Sequence, residues 1–296
     1  MTPNFHIFLP QMRMSPATIV ERAIAAEANG FEGIAFMDHL APPLALEHDM
    51  WEAMTIAGWV LAHTTSLKVG HLVLCDAFRH PAVLARQVTS LDHASDGRFE
   101  LGIGWGSTPV ELETFGVGSS EARGRVDRLS ESLEIMRRLW TGEVVDYQGA
   151  HFTVTAAQQR PTPSRPVPII IGGVGNRTLE LVRRYADWCN LAINHLGRLD
   201  EIREKAGKAR VSIQPMVALL PDESHRERVT QLAQRRFGGN MATGGIMIGT
   251  ADQLAEQFVA LRGRGVERFY VWFTDFAPLE TLQGFEQVIV EVQRAC

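Results

Sequence analysis

The chain has 296 residues, 45% of them apolar and 21% charged, which is an ordinary balance for a globular protein with a full core. This length is too great for a small sandwich. It fits one α/β barrel of about 250 residues with insertions, so we expect a single domain over residues 1–296. The net charge of −5 argues against nucleic acid or an anionic membrane as the main partner.

The cysteine content and the amino terminus indicate where the protein works. Cys75, Cys189 and Cys296 are far apart, odd in number and without a CxxC spacing, which favours reduced thiols over a disulfide framework or a zinc site. Residues 1–4 do not lead from a basic segment into a long apolar one, so we expect no signal peptide. No apolar run approaches the ~18 residues of a membrane span. These features predict a cytoplasmic protein that binds no membrane.

Strand and helix patterns alternate along the first half of the chain. Residues 31–37 are mostly apolar on both sides at a period of two, as in a strand covered on both faces. Ser15 and Pro16 are typical of an N-cap and a first helical turn, and Gly30 is typical of the residue after a helix. The predicted elements are strands at 5–9, 31–37, 67–74 and 98–103, and helices at 15–30, at 49–64, from 81 and at about 120–139.

The middle of the chain interrupts this alternation. Residues 141–168 contain Gly142, Gly149 and four prolines and have no helical periodicity. Because proline removes an amide donor and fixes a backbone torsion, we expect an insertion that runs over the surface after the fourth strand–helix unit. The pattern then predicts strands at 169–171, 188–193, 210–218 and 267–273, and helices at 177–185, at 221–237, from 250 and from 278.

The alternation predicts the fold class. Eight strands, each followed by a helix, are the count of a (β/α)₈ TIM barrel. A doubly wound open sheet stays possible, because the sequence does not show whether the sheet closes. In both architectures ligands bind at the carboxyl ends of the parallel strands, so residues that follow strands are the candidates for a site.

Polar residues and glycines follow two of these strands. Asp38 and His39 come directly after the second strand, where an acid and an imidazole can carry out acid–base chemistry, although a solvated loop is the plain alternative. Gly104 and Gly106 follow the fourth strand. The absence of side chains there would let a flat ligand lie against the backbone, or would simply permit a tight turn.

A third group lies between the fifth strand and the next helix. It consists of Gly172, Gly173, Val174, Gly175 and Asn176. Free amides in this loop would lie at the positive end of the helix dipole, and the neighbouring Arg177 could bind an anion. An ordinary strand–helix connection is the alternative. Three such groups on one edge predict a site for a planar ring and a phosphate.

Longer runs of sequence resemble a known family. These runs are residues 62–70, 78–81, 90–92, 97–104, 115–116, 172–173, 177–179 and 184–187. Together they resemble the bacterial luciferase-like monooxygenase superfamily, and most of all its deazaflavin (coenzyme F420)-dependent oxidoreductases. The resemblance extends from Phe5 to the last helix, whereas residues 141–168 and 221–245 match poorly.

The resemblance implies a TIM barrel, usually a homodimer, with the deazaflavin at the carboxyl-end mouth. Asp38 and His39 match a pair that lies beside the cofactor ring in relatives, where the histidine is a frequent candidate for the active-site base. A non-proline cis peptide against the ring would be Leu72–Val73, with Cys75 nearby. Gly104 and Gly106 match the mouth glycines, and residues 172–176 match the segment whose amides hold the phosphate tail.

The chain also departs from the family pattern. Members that oxidise sugar phosphates and alcohols have a tryptophan shortly after the histidine, where this chain has residues 42–44, Pro-Pro-Leu. They have a glutamate after the mouth glycines, where this chain has Ser107 and where Glu111 and Glu113 are displaced. The alcohol-oxidising apparatus is therefore not evident, and a reductase is as well supported. Two further residues are candidates for the substrate side, with a plain surface or wall position as the alternative: His48 and Trp105.

We therefore expect an oxidoreductase that moves a hydride between coenzyme F420 and a small organic substrate. His39 would exchange a proton with the substrate, and Asp38 would orient the imidazole or contact the ring. Two alternatives stay open. One is an FMN-dependent monooxygenase that receives reduced flavin from a partner reductase, and the other is a flavin-binding protein without catalytic activity.

Overall fold

Strands and helices alternate from Asn4 to Arg294. The computed structural model describes residues 3–43, 45–118, 121–237 and 245–295, so Leu44, Ser120 and Cys296 lie outside the described residues. The strands are β1 (Asn4–Phe8), β2 (Gly33–Phe36), β3 (Lys68–His71), β4 (Leu74–Cys75), β5 (Leu101–Gly104), β6 (Val145–Gln148), β7 (Thr153–Ala157), β8 (Ile169–Gly172), β9 (Trp188–Ala192), β10 (Arg210–Gln214), β11 (Met216–Leu219), β12 (Ile246–Gly249) and β13 (Arg268–Phe273).

The helices follow the strands and cover the outside of the sheet. They are α1 (Pro16–Ala28), α2 (Ala53–His63), α3 (Pro81–Ala94), α4 (Pro109–Phe115), α5 (Ala122–Trp140), α6 (Asn176–Tyr185), α7 (Leu199–Ala206), α8 (Arg226–Phe237), α9 (Ala251–Gly263) and α10 (Leu279–Arg294). Phe258 and Phe285 of the last two helices pack edge-on against Phe5 of β1, with ring centroids 5.2 and 5.8 Å away. Within the described ranges, none of these helices combines the length and the apolar character needed to cross a bilayer.

The main sheet is parallel and nearly closes into a barrel. Its strand order is β3-β2-β1-β13-β10-β9-β8-β5-β4. The two ends of this order, β3 and β4, correspond to the one strand predicted at 67–74, with β4 starting at its last residue. A bridge between Val69 and Phe99 joins β3 to the residues before β5, with hydrogen bonds of 2.9 Å on either side of it. The predicted TIM barrel is therefore confirmed, and the open doubly wound sheet is not observed.

The structure adds strands that the sequence pattern did not predict. β10 and β11 together form one strand of the barrel. β12 pairs in parallel with β11 and is not part of the main strand order. Residues 141–168 were expected to be irregular, but they contain the antiparallel hairpin β6–β7. The carboxylate of Glu131 on α5 accepts hydrogen bonds from the amides of residues 150–152 and so fixes the hairpin turn to the barrel. The expectation of an irregular segment is corrected to this extent.

An ion pair lies inside the barrel. The guanidinium of Arg268 donates to both carboxylate oxygens of Glu100, at 2.7 and 3.0 Å, and to the hydroxyl of Tyr270 at 2.9 Å. It also lies 4.0 Å from the centroid of the Trp188 ring. A buried charge needs such partners, because its desolvation is costly. Burial raises the pKa of Tyr270 to about 12, so this hydroxyl stays protonated.

Candidate active site

A cavity of about 300 Å³ opens at the carboxyl ends of β2, β4, β5 and β8. Parallel pairing in register brings these four strand ends to one mouth of the barrel. The predicted site residues among those lining the cavity are Asp38, His39, Leu72, Val73, Cys75, Gly104, Gly106, Gly172 and Gly173. These residues come from four separate segments of the chain, three selected at predicted strand ends and one, residues 72–75, implied by the family resemblance.

His39 has a carboxylate partner, which is Glu111. The imidazole Nδ1 lies 2.9 Å from Glu111 Oε2. The other carboxylate oxygen accepts hydrogen bonds from the backbone amides of Leu40 and Ala41, at 2.6 and 3.3 Å. Glu111 lies in the first turn of α4, one turn after Ser107, so the helix returns its side chain to the mouth. A hydrogen bond at Nδ1 fixes the ring orientation and leaves Nε2 for a ligand.

Asp38 has partners other than His39. Its carboxylate accepts two hydrogen bonds from Arg79, at 2.6 and 3.1 Å, and one from the Cys75 amide at 2.8 Å. Arg79 also pairs with Glu52 at 2.5 Å. The expectation that Asp38 orients the imidazole is therefore wrong, because Arg79 and the β4 amide hold the carboxylate while Glu111 holds the histidine. Asp38 remains in the cavity wall and connects the ends of β2 and β4.

One part of the cavity wall contains two glycines and an unusual peptide bond. The Leu72–Val73 peptide is cis, as the resemblance implied. A β-carbon at Gly104 would lie 2.7 Å from Val73 Cγ2, and one at Gly106 would lie 2.9 Å from Cys75 Sγ. A larger residue at either position would collide with a side chain of the adjacent segment 73–75. Glycine at these two positions therefore lets the ends of β4 and β5 lie close together.

Cys75 lines the cavity as a neutral thiol. Burial raises its pKa to about 12, and it does the same for Cys189 in the sheet. Both are free thiols. Because the thiolate is the reactive form of cysteine, Cys75 forms part of the wall and is not a nucleophile.

The predicted phosphate loop lies at the edge of the cavity. Gly172 and Gly173 line it, and Gly175 is the N-cap of α6, so the first amides of that helix have no partner within the helix. Val174 and Asn176 do not line the cavity, and the Asn176 amide oxygen accepts a hydrogen bond from Lys205 at 2.9 Å.

Arg177 turns away from this loop. Its guanidinium pairs with Asp127 on α5, so the expectation that it binds an anion is not supported by its contacts. The Arg177 guanidinium is therefore held at α5, although the residue is adjacent in sequence to the loop.

A second cavity, of about 490 Å³, adjoins the first. The two share Met37, His39 and Leu72. The second extends towards β1, β13 and the end of α8, where aromatic side chains form its wall and three arginines line it. Of the two residues expected on the substrate side, Trp105 lines the first cavity, whereas His48 lines neither and pairs with Glu47 at 3.2 Å.

Glu111, Arg79 and the second cavity are features that sequence reasoning missed. The position of Glu111 does not match that of the family glutamate, so the resemblance does not select it. The usable signal was the proline at position 109, which starts a helix and places Glu111 in its first turn. Arg79 lies in a run that resembles the family, but its pairing with Asp38 depends on the fold.

Comparisons with known proteins identify the family. The F420-dependent glucose-6-phosphate dehydrogenase of Microbacterium testaceum is 30% identical over 243 residues, which are 78% of this chain and 71% of that protein. The enzyme of the same name from Nakamurella multipartita is 34% identical over 179 residues, and this alignment spans about half of that relative, 52% of its length. An F420-dependent secondary alcohol dehydrogenase in complex with an F420-acetone adduct has the same fold, with a TM-score of 0.83 at 20% identity over 99% of both chains. Residues 3–229 match the profile of the luciferase-like monooxygenase family, and the chain therefore belongs to this family.

Proposed function

We propose that the protein is an oxidoreductase that transfers a hydride between coenzyme F420 and a small organic substrate. The observation that carries this proposal is the His39–Glu111 pair at a cavity walled by Gly104, Gly106 and the Leu72–Val73 peptide. The relatives named as F420-dependent enzymes support the choice of cofactor.

The cavity fits the ring of a deazaflavin. When bound, the cofactor supplies the site at which a hydride is accepted or released. Leu72, Val73, Gly104 and Gly106 form one continuous part of the cavity wall, since a β-carbon at Gly104 would already lie 2.7 Å from Val73 Cγ2. A flat ring that lies against this wall displaces water from apolar surface, and that displacement is the main favourable contribution to binding an aromatic ring.

The loop at 172–176 fits the phosphate. The amides at the start of α6 have no side-chain cap, and an anion at a helix N-terminus satisfies them and meets the positive end of the dipole. The backbone at Gly173 has φ of +123°, a conformation that L side chains rarely adopt. We therefore propose that the loop, and not Arg177, holds the phosphate.

The protein's own residues would move the proton. With Nδ1 held by Glu111, His39 Nε2 takes the hydroxyl proton of an alcohol, or gives a proton to a carbonyl oxygen in the opposite direction. Glu111 stabilises the imidazolium that forms, as a carboxylate behind a catalytic histidine does. Glu111 thus supplies a carboxylate to the site, although Ser107 stands at the position of the family glutamate. The residues therefore support both oxidation of an alcohol and reduction of a carbonyl group.

The cofactor assignment is tested by affinity. Coenzyme F420 should bind at least ~10-fold more tightly than FMN in a fluorescence titration, a difference of about 1.4 kcal/mol. Equal or tighter FMN binding would instead indicate a monooxygenase supplied by a flavin reductase. Tight binding of either cofactor without turnover of any alcohol or carbonyl compound would indicate a non-catalytic flavin-binding protein.

We further propose that the protein is a cytoplasmic homodimer. Trp59 of α2 and Ile24 of α1 are 51% and 46% exposed, which suits an apolar contact between two copies. The free thiols Cys75 and Cys189 suit a reducing compartment. Light scattering would contradict the dimer if it gave the mass of one chain at micromolar concentration.

A further inference from the structure

The second cavity has a charge pattern that the proposed proton transfer does not require. Arg13, Arg235 and Arg236 line it, and no aspartate or glutamate is among its described lining residues. Three positive charges therefore adjoin one cavity whose walls contain no negative charge in the described part of the chain.

These arginines differ from others in the molecule in what they contact. Arg79, Arg128 and Arg268 each pair with a buried carboxylate. Arg236, in contrast, donates to the backbone oxygen of Thr274 at 2.9 Å, and the Arg13 guanidinium lies 5.9 Å from the centroid of the Phe276 ring.

Within the described ranges, none of the three cavity arginines pairs with a carboxylate. Their charges remain available to a ligand, and a guanidinium suits a carboxylate because it can donate two parallel hydrogen bonds.

The interior of the second cavity is apolar and aromatic. The Trp272 ring packs edge-on against Phe8 at 5.1 Å and against Phe237 at 5.3 Å between centroids. Met12 and Ala45 complete this wall, and both are buried. Besides the arginines, the lining residues offer the side chains of His39 and Gln214 and the indole N–H of Trp272, which has no hydrogen-bond partner among the described residues. Such a wall suits a hydrophobic or aromatic body.

We propose that the second cavity binds an organic anion with an apolar body, and this inference rests on the proposed function. The carboxylate of the substrate lies at the arginines, its body lies against Trp272, and its alcohol or carbonyl group lies at His39, where the two cavities meet. A sugar phosphate fits poorly, although relatives are named for one. Against the aromatic wall its several hydroxyl groups would find, among the described lining residues, only Gln214 and the Trp272 indole N–H as neutral partners, and buried unpaired polar groups are unfavourable.

The test is a comparison of three probes on the full chain without cofactor. The probes are 2-naphthoate, its uncharged analogue 2-naphthalenemethanol, and glucose 6-phosphate, each titrated by calorimetry. We expect 2-naphthoate to bind at least ~10-fold more tightly than either of the others. Glucose 6-phosphate binding as tightly as 2-naphthoate, or no measurable binding of 2-naphthoate, overturns the proposal.

Substitutions of the cavity arginines test whether 2-naphthoate binds in the second cavity. Arg13→Gln with Arg235→Gln should weaken 2-naphthoate at least ~10-fold and change 2-naphthalenemethanol by less than about twofold. Arg228→Gln is the matched control, because Arg228 is an exposed arginine on the same helix, α8, outside the cavity. If the double variant loses its thermal transition, Arg235→Gln alone replaces it. Equal losses for both probes, or an equal loss in the control, overturn the proposal.

The outcome is separable from that of the proposed function. A titration with coenzyme F420 tests the first cavity and does not involve the arginines. If 2-naphthoate binds as expected while F420 does not, the anion site stands and the cofactor assignment fails. If F420 binds and 2-naphthoate does not, the cofactor assignment stands and the substrate class proposed here is wrong.

Discussion

At the scale of single residues, the candidate site depends on a contact between two residues that are far apart in the chain. His39 directly follows the apolar run of β2, at the carboxyl end of that strand. Glu111 is 72 residues further along the chain, and only the path of α4 brings it to 2.9 Å from the imidazole. Asp38 also lines the cavity, and its pairing with Arg79, in place of the expected contact with the imidazole, depends on the loop after β4.

The contact between Glu111 and His39 predicts that substitution of Glu111 lowers activity, whereas substitution of the nearby Glu113 does not. Glu111→Gln should lower turnover by on the order of 10²-fold, because a neutral amide cannot stabilise the imidazolium that forms during proton transfer. His39→Ala should cost at least as much, and neither change should alter F420 affinity by more than about twofold. Turnover would be followed by F420 absorbance, with the best substrate from a panel of aryl alcohols and ketones.

Glu113→Gln is the control for this prediction. Glu113 lies on the same helix, α4, but is exposed and does not line the cavity. Full turnover in Glu111→Gln with an unchanged melting temperature would mean that the carboxylate fixes only the loop at Leu40 and Ala41. Equal losses in both variants would point to a general effect on α4.

At the scale of elements, periodicity predicted the barrel strands and missed the strands outside the ring. The eight predicted strands correspond to the barrel positions, with β3–β4 and β10–β11 each formed by two shorter strands. The hairpin β6–β7 was missed because the prolines and glycines around it dominate the pattern. Its alternation is short, with only Val145 buried in β6 and only Val154 in β7. Strand β12 has four residues and follows a stretch with no periodicity.

The loop before α6 supports a prediction that separates charge from backbone effects. Gly173 has φ of +123°, and a β-carbon there would lie 3.3 Å from Thr178 Cγ2, so any substitution destabilises the loop. Gly173→Ala and Gly173→Asp share this cost, but only aspartate adds a negative charge beside the proposed phosphate. We expect Gly173→Asp to bind F420 at least ~10-fold more weakly than Gly173→Ala does.

The same pair of variants should bind a deazaflavin fragment without phosphate with equal affinity. Both titrations require a folded protein, which a thermal melt of each variant would verify. If aspartate and alanine lower F420 affinity equally, the loop is an ordinary strand–helix connection. If aspartate weakens the fragment as much as it weakens F420, the charge acts on the ring and the phosphate lies elsewhere.

At the scale of the whole molecule, the buried ion pair and the candidate site lie in different parts of the barrel. The Arg268–Glu100 pair and its aromatic partners occupy the interior, while the two cavities lie at the carboxyl-end mouth. The sequence predicted the mouth, since glycines and polar residues mark strand ends. It did not predict the interior pair, because Glu100 and Arg268 were read as parts of strands and their contact spans 168 residues.

The barrel also contains buried histidines, which predict a dependence of stability on pH. Burial lowers the pKa of His71 from 6.5 to about 4, and it lowers the pKa of His6 as well. Above pH 6.5 the His71 imidazole is neutral in both the folded and the unfolded chain, so it contributes no pH dependence. Between pH 6.5 and 4 the unfolded chain binds a proton that the folded chain excludes, so the free energy of unfolding decreases as pH falls.

The size of this effect can be measured by substitution. From pH 7.5 to 5, His71 alone should lower the free energy of unfolding by about 2 kcal/mol. For His71→Leu, the free energy of unfolding measured in urea should therefore differ less between the two pH values, by about that amount. His63→Gln is the control, because His63 is exposed at the end of α2, and its removal takes away no buried imidazole. An unchanged pH difference in His71→Leu would show that His71 is protonated, or reaches water, inside the folded barrel.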